Sequence, residues 1–399
     1  MTPPPARPPR LHFMCNGLFC TGVGGGDTYL SQMARSVQDP RFGLHFFGGH
    51  ALQKFLGDQG LRGEITLTDE RIAIPGNPVT LGEQLRLLAD FAGRYRRTLP
   101  LLPTIEPQDT VYAMSDFWFD AIPLHRCRAR RKILYFGMTA PSWGEIVRRS
   151  RPDVAASRLT SVYYRWSQSL AIRCAKRMKN AAFTYSHPDI GADLQARGLP
   201  PASLVYVPNG IDFETAQAAA PQEICYDAAW VGRIHPQKGI DDLVFTLDEL
   251  ARSVPGFRAL VIGSGDAYLR PIVERMGLAA QVAFAGRVPE KAKFELLKSC
   301  RVFLMPSRYE SWGIVVGEAL ACGLAVVAYD LACYRPVFRD TVRYVPCFDR
   351  AAFVAEARQA VEDSRAGRAR QPSEAVLRPL DWKVAQARFR SLIEDGLGD

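Results

Sequence analysis

The 399-residue sequence contains no run of about 18 uncharged apolar residues, the length a membrane-crossing helix requires. Its start, Met1 to Arg10, is rich in proline and lacks the apolar core of a secretory signal, so the expected location is the cytoplasm. Nine cysteines are scattered from Cys15 to Cys347 without a CxxC pair, which argues against a disulfide framework and against a cysteine zinc site. There is no Asp-x-Asp pair to hold a divalent ion, no repeat at solenoid periods, and no long low-complexity tract beyond the proline-rich start. With 47% apolar and 23% charged residues, the composition is that of a folded globular protein, and the length suits two domains.

Charge is the uneven quantity. Between Arg94 and Lys179 the chain has 17 Lys and Arg against 6 Asp and Glu, an excess larger than the +9 of the whole sequence. The basic residues form three groups: Arg126, Arg128, Arg130, Arg131 and Lys132; Arg148, Arg149 and Arg151; and Arg173, Lys176, Arg177 and Lys179. Trp143, Tyr163, Tyr164 and Trp166 lie among them, a mixture that suits an anionic lipid surface. A solvated basic face is the plain alternative. Nucleic acid is not expected, because no module that binds it is recognisable.

Short apolar runs rich in β-branched and aromatic residues alternate with helical segments along the chain. In the first half they are Leu11 to Cys15, Gly43 to Phe47, Thr110 to Met114, Lys132 to Phe136, Ala181 to Tyr185 and Leu204 to Val207. In the second half they are Asp227 to Val231, Ala259 to Gly263, Val282 to Gly286, Val302 to Met305 and Ala325 to Tyr329. Strands this apolar belong in parallel sheets covered on both faces, so the fold class is α/β with two doubly wound domains. The segment Ser157 to Lys179 reads as a helix with Leu159, Val162, Tyr163, Trp166 and Leu170 at helical spacing. The boundary falls at PNGID, Pro208 to Asp212, and the uncharged Ala216 to Ala220 reads as a linker. Such sheets bind ligands at the carboxyl ends of their strands, and two facing sheets would enclose a cleft.

Three segments carry chemistry. TGVGGGDTYL, Thr21 to Leu30, puts glycines where backbone can approach an anion, with Asp27 able to cap the helix that follows; a simple tight turn is the alternative. WVGRIHPQKGIDDL, Trp230 to Leu243, places Arg233 and Lys238 on a strand-to-helix loop, where they suit a diphosphate or form a solvated basic loop. In PSRYESWGIVVGEALACG, Pro306 to Gly323, Gly313 opens a helix between Glu310 and Glu318. The amides near Gly313, Ile314 and Val315 would lack intrahelical acceptors and could seat a phosphate, while each carboxylate accepts from hydroxyls on its own side. A sugar nucleotide has this layout. Paired carboxylates also suggest a glycoside hydrolase, which needs no phosphate apparatus.

These motifs, in this order and at this spacing, resemble the retaining glycosyltransferases of family 4, which have the GT-B fold of two Rossmann-like domains facing across a cleft. Besides those three segments the resemblance takes in PNGID, VIGSGD at Val261 to Asp266 and FAGRV at Phe284 to Val288. It implies an acceptor-binding domain over 1–208, a nucleotide-sugar domain over 209–380 and a terminal helix over 381–399 that returns to the first domain. It further implies that Arg233 and Lys238 hold the donor diphosphate, that Gly25 or Gly26 approaches it, and that amides at Gly313, Ile314 and Val315 receive the terminal phosphate. Glu310 would bind the transferred sugar, Glu318 the ribose, and the backbone around Val288 the base; Glu310, Arg233 and Lys238 would carry the chemistry. No metal or other cofactor is implied, and the donor is expected to be a UDP- or GDP-sugar. The acceptor would be a saccharide or lipid-linked saccharide, reached in the cytoplasm or peripherally at the inner face of the membrane through the basic segment 94–179. Family members often carry a histidine just after the fourth strand of the first domain, where this chain has Gly137, Met138 and Thr139. Asp116 is the candidate to take its catalytic place, ahead of His187. That departure keeps alternatives open: another reaction on a nucleotide sugar, such as epimerisation or phosphorolysis, or a silent sensor.

Overall fold

The computed structural model describes residues 8–18, 24–70, 81–150, 158–220, 222–369 and 374–395. The chain divides into two compact units, Met1–Pro208 with Ala385–Asp399, and Asn209–Val384. Unit 1 holds a seven-stranded sheet: β1 (Arg10–Met14), β2 (Gly43–Gly48), β3 (Glu64–Leu67), β4 (Thr110–Ala113), β5 (Arg131–Phe136), β6 (Ala181–Tyr185) and β7 (Leu204–Tyr206). Their order is β3-β2-β1-β4-β5-β6-β7, and every pairing is parallel. Unit 2 repeats the plan with six strands: β8 (Tyr226–Val231), β9 (Ala259–Ile262), β10 (Val282–Gly286), β11 (Cys300–Met305), β12 (Ala325–Tyr329) and β13 (Arg343–Val345). Their order is β10-β9-β8-β11-β12-β13, again all parallel.

The strand alternation explains why neither face of the second sheet meets water. Ala229, Val231, Leu260, Ile262, Phe303, Met305, Val326 and Ala328 enter one buried cluster, while Ala228, Trp230, Ala259, Val261, Val302, Leu304, Val327 and Tyr329 enter another. Odd and even positions of the same strands therefore face two cores, each roofed by helices. In unit 1, Phe389 of the terminal helix Trp382–Glu394 packs its ring 4.9 Å from Tyr112 and 6.3 Å from Phe13. In unit 2, Trp382 N–H donates to Ile211 O and Ile211 N–H to Leu380 O, so the segment after Pro208 pairs with the start of that helix.

Four sequence expectations are corrected. Strands β3 and β13, both at sheet edges and only three or four residues long, were not anticipated; they carry too few residues to show a period. Ala216 to Ala220 is not a linker: Phe213–Ala218 is a helix capped by Asp212 Oδ1 on Thr215 N–H, and Phe213, Ala216 and Ala219 are buried in the unit 2 core. Asp27 does not cap its helix, Gly25–Ser36; the N-cap is Gly24, and Asp27 is buried in the first turn. Helix Arg158–Ala175 does not bury the predicted stripe. Ser161, Ser167, Gln168, Ala171, Ile172 and Ala175 face inward, and Leu159 and Trp166 are exposed.

Candidate nucleotide-sugar site

The carboxyl edge of the second sheet is where loops after four neighbouring strands meet, and two glycines set how closely. Gly239 has φ +65, and a Cβ there would lie 1.9 Å from Pro306 O, so the turn Pro236–Lys238 can sit against the loop after β11 only without a side chain. Gly263 has φ +136, and its Cβ would lie 1.8 Å from Gly232 O, which locks the loops after β9 and β8 together. Backbone bonds stitch the row: Gly232 N–H to Ile262 O, Gly263 N–H to Gly286 O, Ile234 N–H to Ser264 O and Arg308 N–H to Gln237 O. Gln237 Nε2 also donates to Tyr309 O at 2.9 Å.

This stitching brings two of the sequence candidates into contact. Lys238 Nζ donates to Glu310 Oε1 at 2.5 Å, with the carboxylate side chain 10% exposed. Arg233 lies two residues beyond β8, partly buried, and Val288 two residues beyond β10, partly buried against the core. Between Arg233 and Lys238, His235 accepts Gln237 N–H on Nδ1 and starts the turn. Its burial and the neighbouring charges of Arg233 and Lys238 pull its pKa below the ordinary imidazole value, so it stays neutral.

Gly313 is the N-cap of helix Ile314–Ala321, at φ +89, and a Cβ there would collide with Tyr334 at 2.6 Å. A left-handed glycine ends the preceding loop sharply and starts the helix. Among the described residues, the N–H groups of Ile314 and Val315 have no protein acceptor, as the first turn of a helix requires. Glu318 is buried within the same helix. Its Oε1 accepts from Lys293 Nζ at 2.6 Å, whereas Oε2 is buried without a partner. Burial opposes the Lys293 charge, but Glu318 and Glu290 outweigh it and hold the ammonium above its ordinary pKa. Lys293 is the residue that sequence reading missed. It stands 25 positions from its carboxylate, and an amphipathic helix holding several lysines offers no signal to single it out.

Asn209–Val384 thus collects cations, a helix-end amide pair and two carboxylates at one sheet edge. Residues 221–376 match the sequence profile of the family described as glycosyl transferases group 1. This segment is a group 1 glycosyl transferase domain. A phosphatidyl-myo-inositol mannosyltransferase of Mycobacterium tuberculosis is 33% identical over 209 residues, covering 49% of this chain and 54% of that protein. The chain therefore aligns with about half the length of the curated relatives it matches. Among solved structures, the pneumococcal O-GlcNAc transferase GtfA with UDP and GlcNAc superposes with a TM-score of 0.71 at 12% identity, covering 99% of this chain and all of that one. Anabaena HepE in complex with UDP gives 0.65 at 16% identity, covering 97% and 100%. The architecture is GT-B, with two Rossmann-like units.

Unit 1 is a separate constellation. Gly25 and Gly26 are exposed in the first turn of helix Gly25–Ser36, neither at positive φ. Thr21, Gly22 and Val23 of that motif lie outside the described residues. Asp116, three residues beyond β4, is buried and accepts from Gln168 Nε2 at 2.6 Å, with Tyr164 Oη at 3.1 Å. Burial pushes its pKa up to about 6 against those hydrogen bonds and the charge of Arg197. The loop that lacks the family histidine is tied to the same amide: Gln168 Nε2 donates to Met138 O at 2.8 Å, and Gln168 Oε1 accepts from Ala140 N–H at 3.1 Å. Gln168 was not anticipated either; a lone amide in a helix has no sequence signature. His187 is buried as the N-cap of helix Pro188–Ala196, accepting Asp189 N–H on Nδ1 at 3.2 Å, which is a structural duty.

Proposed function

We propose that this protein is a retaining, metal-independent glycosyltransferase that moves a hexose from a nucleotide sugar to a saccharide or lipid-linked acceptor. The observation that carries the reading is the unit 2 edge: the Lys238–Glu310 pair, the open amides of Ile314 and Val315, and the half-satisfied Glu318, all inside a group 1 domain. The donor diphosphate takes Arg233, Lys238 and the helix-end amides. Lys238 then exchanges Glu310 for phosphate, and Glu310 is released to accept from sugar hydroxyls. Ribose hydroxyls donate to Glu318 Oε2, and the backbone at Val288 borders the base. Asp116 is read as the group that takes the lost histidine's role.

In the reaction the bond from the anomeric carbon to the β-phosphate oxygen breaks, and the acceptor oxygen bonds to that carbon on the same face. The acceptor's proton goes to the departing phosphate. Negative charge grows on that phosphate, and fixed cations and amides stabilise it without having to reorganise. They fill the place a divalent ion would otherwise take. UDP in the HepE and GtfA structures favours a UDP-sugar, while the mannosyltransferase relative favours a lipid-linked acceptor in glycolipid or cell-surface polysaccharide synthesis.

The test is a thermal-shift panel of UDP, GDP and ADP with their sugar conjugates, with and without EDTA. One base should raise the Tm, and EDTA should not reduce that shift. No shift with any nucleotide, or one abolished by EDTA, would contradict the proposal.

A further inference from the structure

Helix Arg158–Ala175 exposes part of its apolar stripe while burying polar side chains. Ser161, Ser167 and Gln168 point into unit 1, while Leu159 (69% exposed) and Trp166 (50%) point to solvent. The neighbouring helix Trp143–Arg148 does the same: Ile146 is buried, but Trp143 (54%) and Val147 (68%), one turn apart, are exposed. Folding alone gives no reason to hold two tryptophans, a leucine and a valine in water, so this face is built for something else. Exposed Arg148, Arg149 and Arg158 stand beside it, and between Glu145 and Asp189 the sequence has one acidic residue, Asp153.

The structure also separates what the sequence merged into one basic face. Helix Trp143–Arg148 follows the carboxyl end of β5, and helix Arg158–Ala175 starts near that end and runs back to the beginning of β6. Its 18 residues span about 27 Å, more than the length of β5. Arg173, Lys176, Arg177 and Lys179 therefore lie at the opposite edge of the sheet, with Arg128 and Arg130, which precede β5. No large exposed apolar side chain accompanies them there among the described residues. Tyr163 and Tyr164 do not belong to the exposed set: Tyr163 Oη accepts from Trp118 Nε1 at 2.9 Å, and Tyr164 reaches Asp116.

We infer that Trp143, Val147, Leu159 and Trp166, with Arg148, Arg149 and Arg158, form a wedge that docks unit 1 on an anionic lipid surface. Tryptophan prefers the boundary between headgroups and acyl chains, and arginine beside it pairs with lipid phosphate. A self-complementary dimer is disfavoured, because two copies of the patch would bring like charges together. The wedge lies at the carboxyl edge of the sheet, the edge of Asp116 and the 137–141 loop. On the lipid-linked-acceptor reading, that edge is where a headgroup is presented.

The test is co-sedimentation of the full chain with phosphatidylcholine vesicles, with and without phosphatidylglycerol. Binding should require the anionic lipid and should weaken about tenfold or more in Trp143→Ser/Trp166→Ser and in Arg148→Glu/Arg149→Glu. Lys176→Glu/Lys179→Glu, at the far edge, should bind as the parent does. The milder pair Val147→Ser/Leu159→Ser repeats the apolar test, and an unchanged nucleotide-induced Tm shift shows that each variant is folded. Absence of binding to anionic vesicles, equal loss from charge reversal at either edge, or a dimer dissolved by the tryptophan substitutions would each overturn the inference. Vesicle binding without any nucleotide shift would leave the wedge standing and remove the transferase reading; the reverse result would do the opposite.

Discussion

Glu318 has one oxygen held by Lys293 and the other buried with nothing to accept from. Deleting the lysine leaves an uncompensated buried carboxylate, so Lys293→Met should destabilise by about 3–5 kcal/mol in chemical denaturation. Lys293→Met/Glu318→Leu should recover most of that loss while nucleotide affinity stays low. Glu310 makes the complementary case. Glu310→Gln frees Lys238 from its competitor, so calorimetry should find the nucleoside diphosphate bound as well as before or more tightly, while sugar transfer falls on the order of 10²-fold. Asp116 has a folded pKa raised to about 6 by burial, so the folded state holds a proton that the unfolded chain has released. Its contribution to stability is present at low pH and is lost as pH rises from about 4 through about 6. Asp120 behaves alike up to about 7, again through burial, while holding Asn16 and Gly17 N–H. Asp116→Asn should flatten the Tm profile over the lower window. Glu310, Glu318, Arg233 and Lys238 were singled out by the spacing of their motif, and the structure places Lys238 against Glu310. Lys293 and Gln168 were not, since each matters through partners far away in sequence.

At the scale of elements, interlocked loops decide the geometry of the unit 2 edge. Gly239→Ala must push Pro306 O aside and hold alanine at φ +65, a penalty above about 1 kcal/mol. Gly277→Ala is also at positive φ, but no atom lies near its missing Cβ. Both variants should lose stability, yet only Gly239→Ala should lose nucleotide affinity in a titration, since only it shifts the turn that carries Lys238 away from the loop after β11. Central strands were readable because both of their faces are apolar. The edge strands β3 and β13 were not, being short, half exposed and opened by a charged residue, Glu64 or Arg343; β7, equally short, was, through its unbroken apolar and aromatic run. Composition misled at Phe213–Ala218, where alanines fill a core rather than a linker, and at Arg158–Ala175, where two members of the apolar stripe, Leu159 and Trp166, face solvent. A helical period tells which residues share a face but not which way that face points.

For the whole molecule, hydrogen exchange of the full chain with and without the nucleotide should concentrate protection in the loops 232–239, 263–265 and 306–315. Protection confined to residues 8–208 would put the donor in the wrong unit. The basic excess of segment 94–179 was plain from residue counts, but the same charges lie at two opposite edges of one sheet, and among the described residues only one of those edges carries large exposed apolar side chains. The sequence by itself determined the α/β class, two strand sets, and the motif that marks a group 1 domain, because buried strands and glycine-bearing loops are local patterns. The tertiary structure decided the Lys238–Glu310 and Lys293–Glu318 pairs, the burial of Asp116 and the outward turn of Trp143 and Trp166. Each of these depends on which surfaces meet once helices pack on the sheets, and no local pattern encodes that.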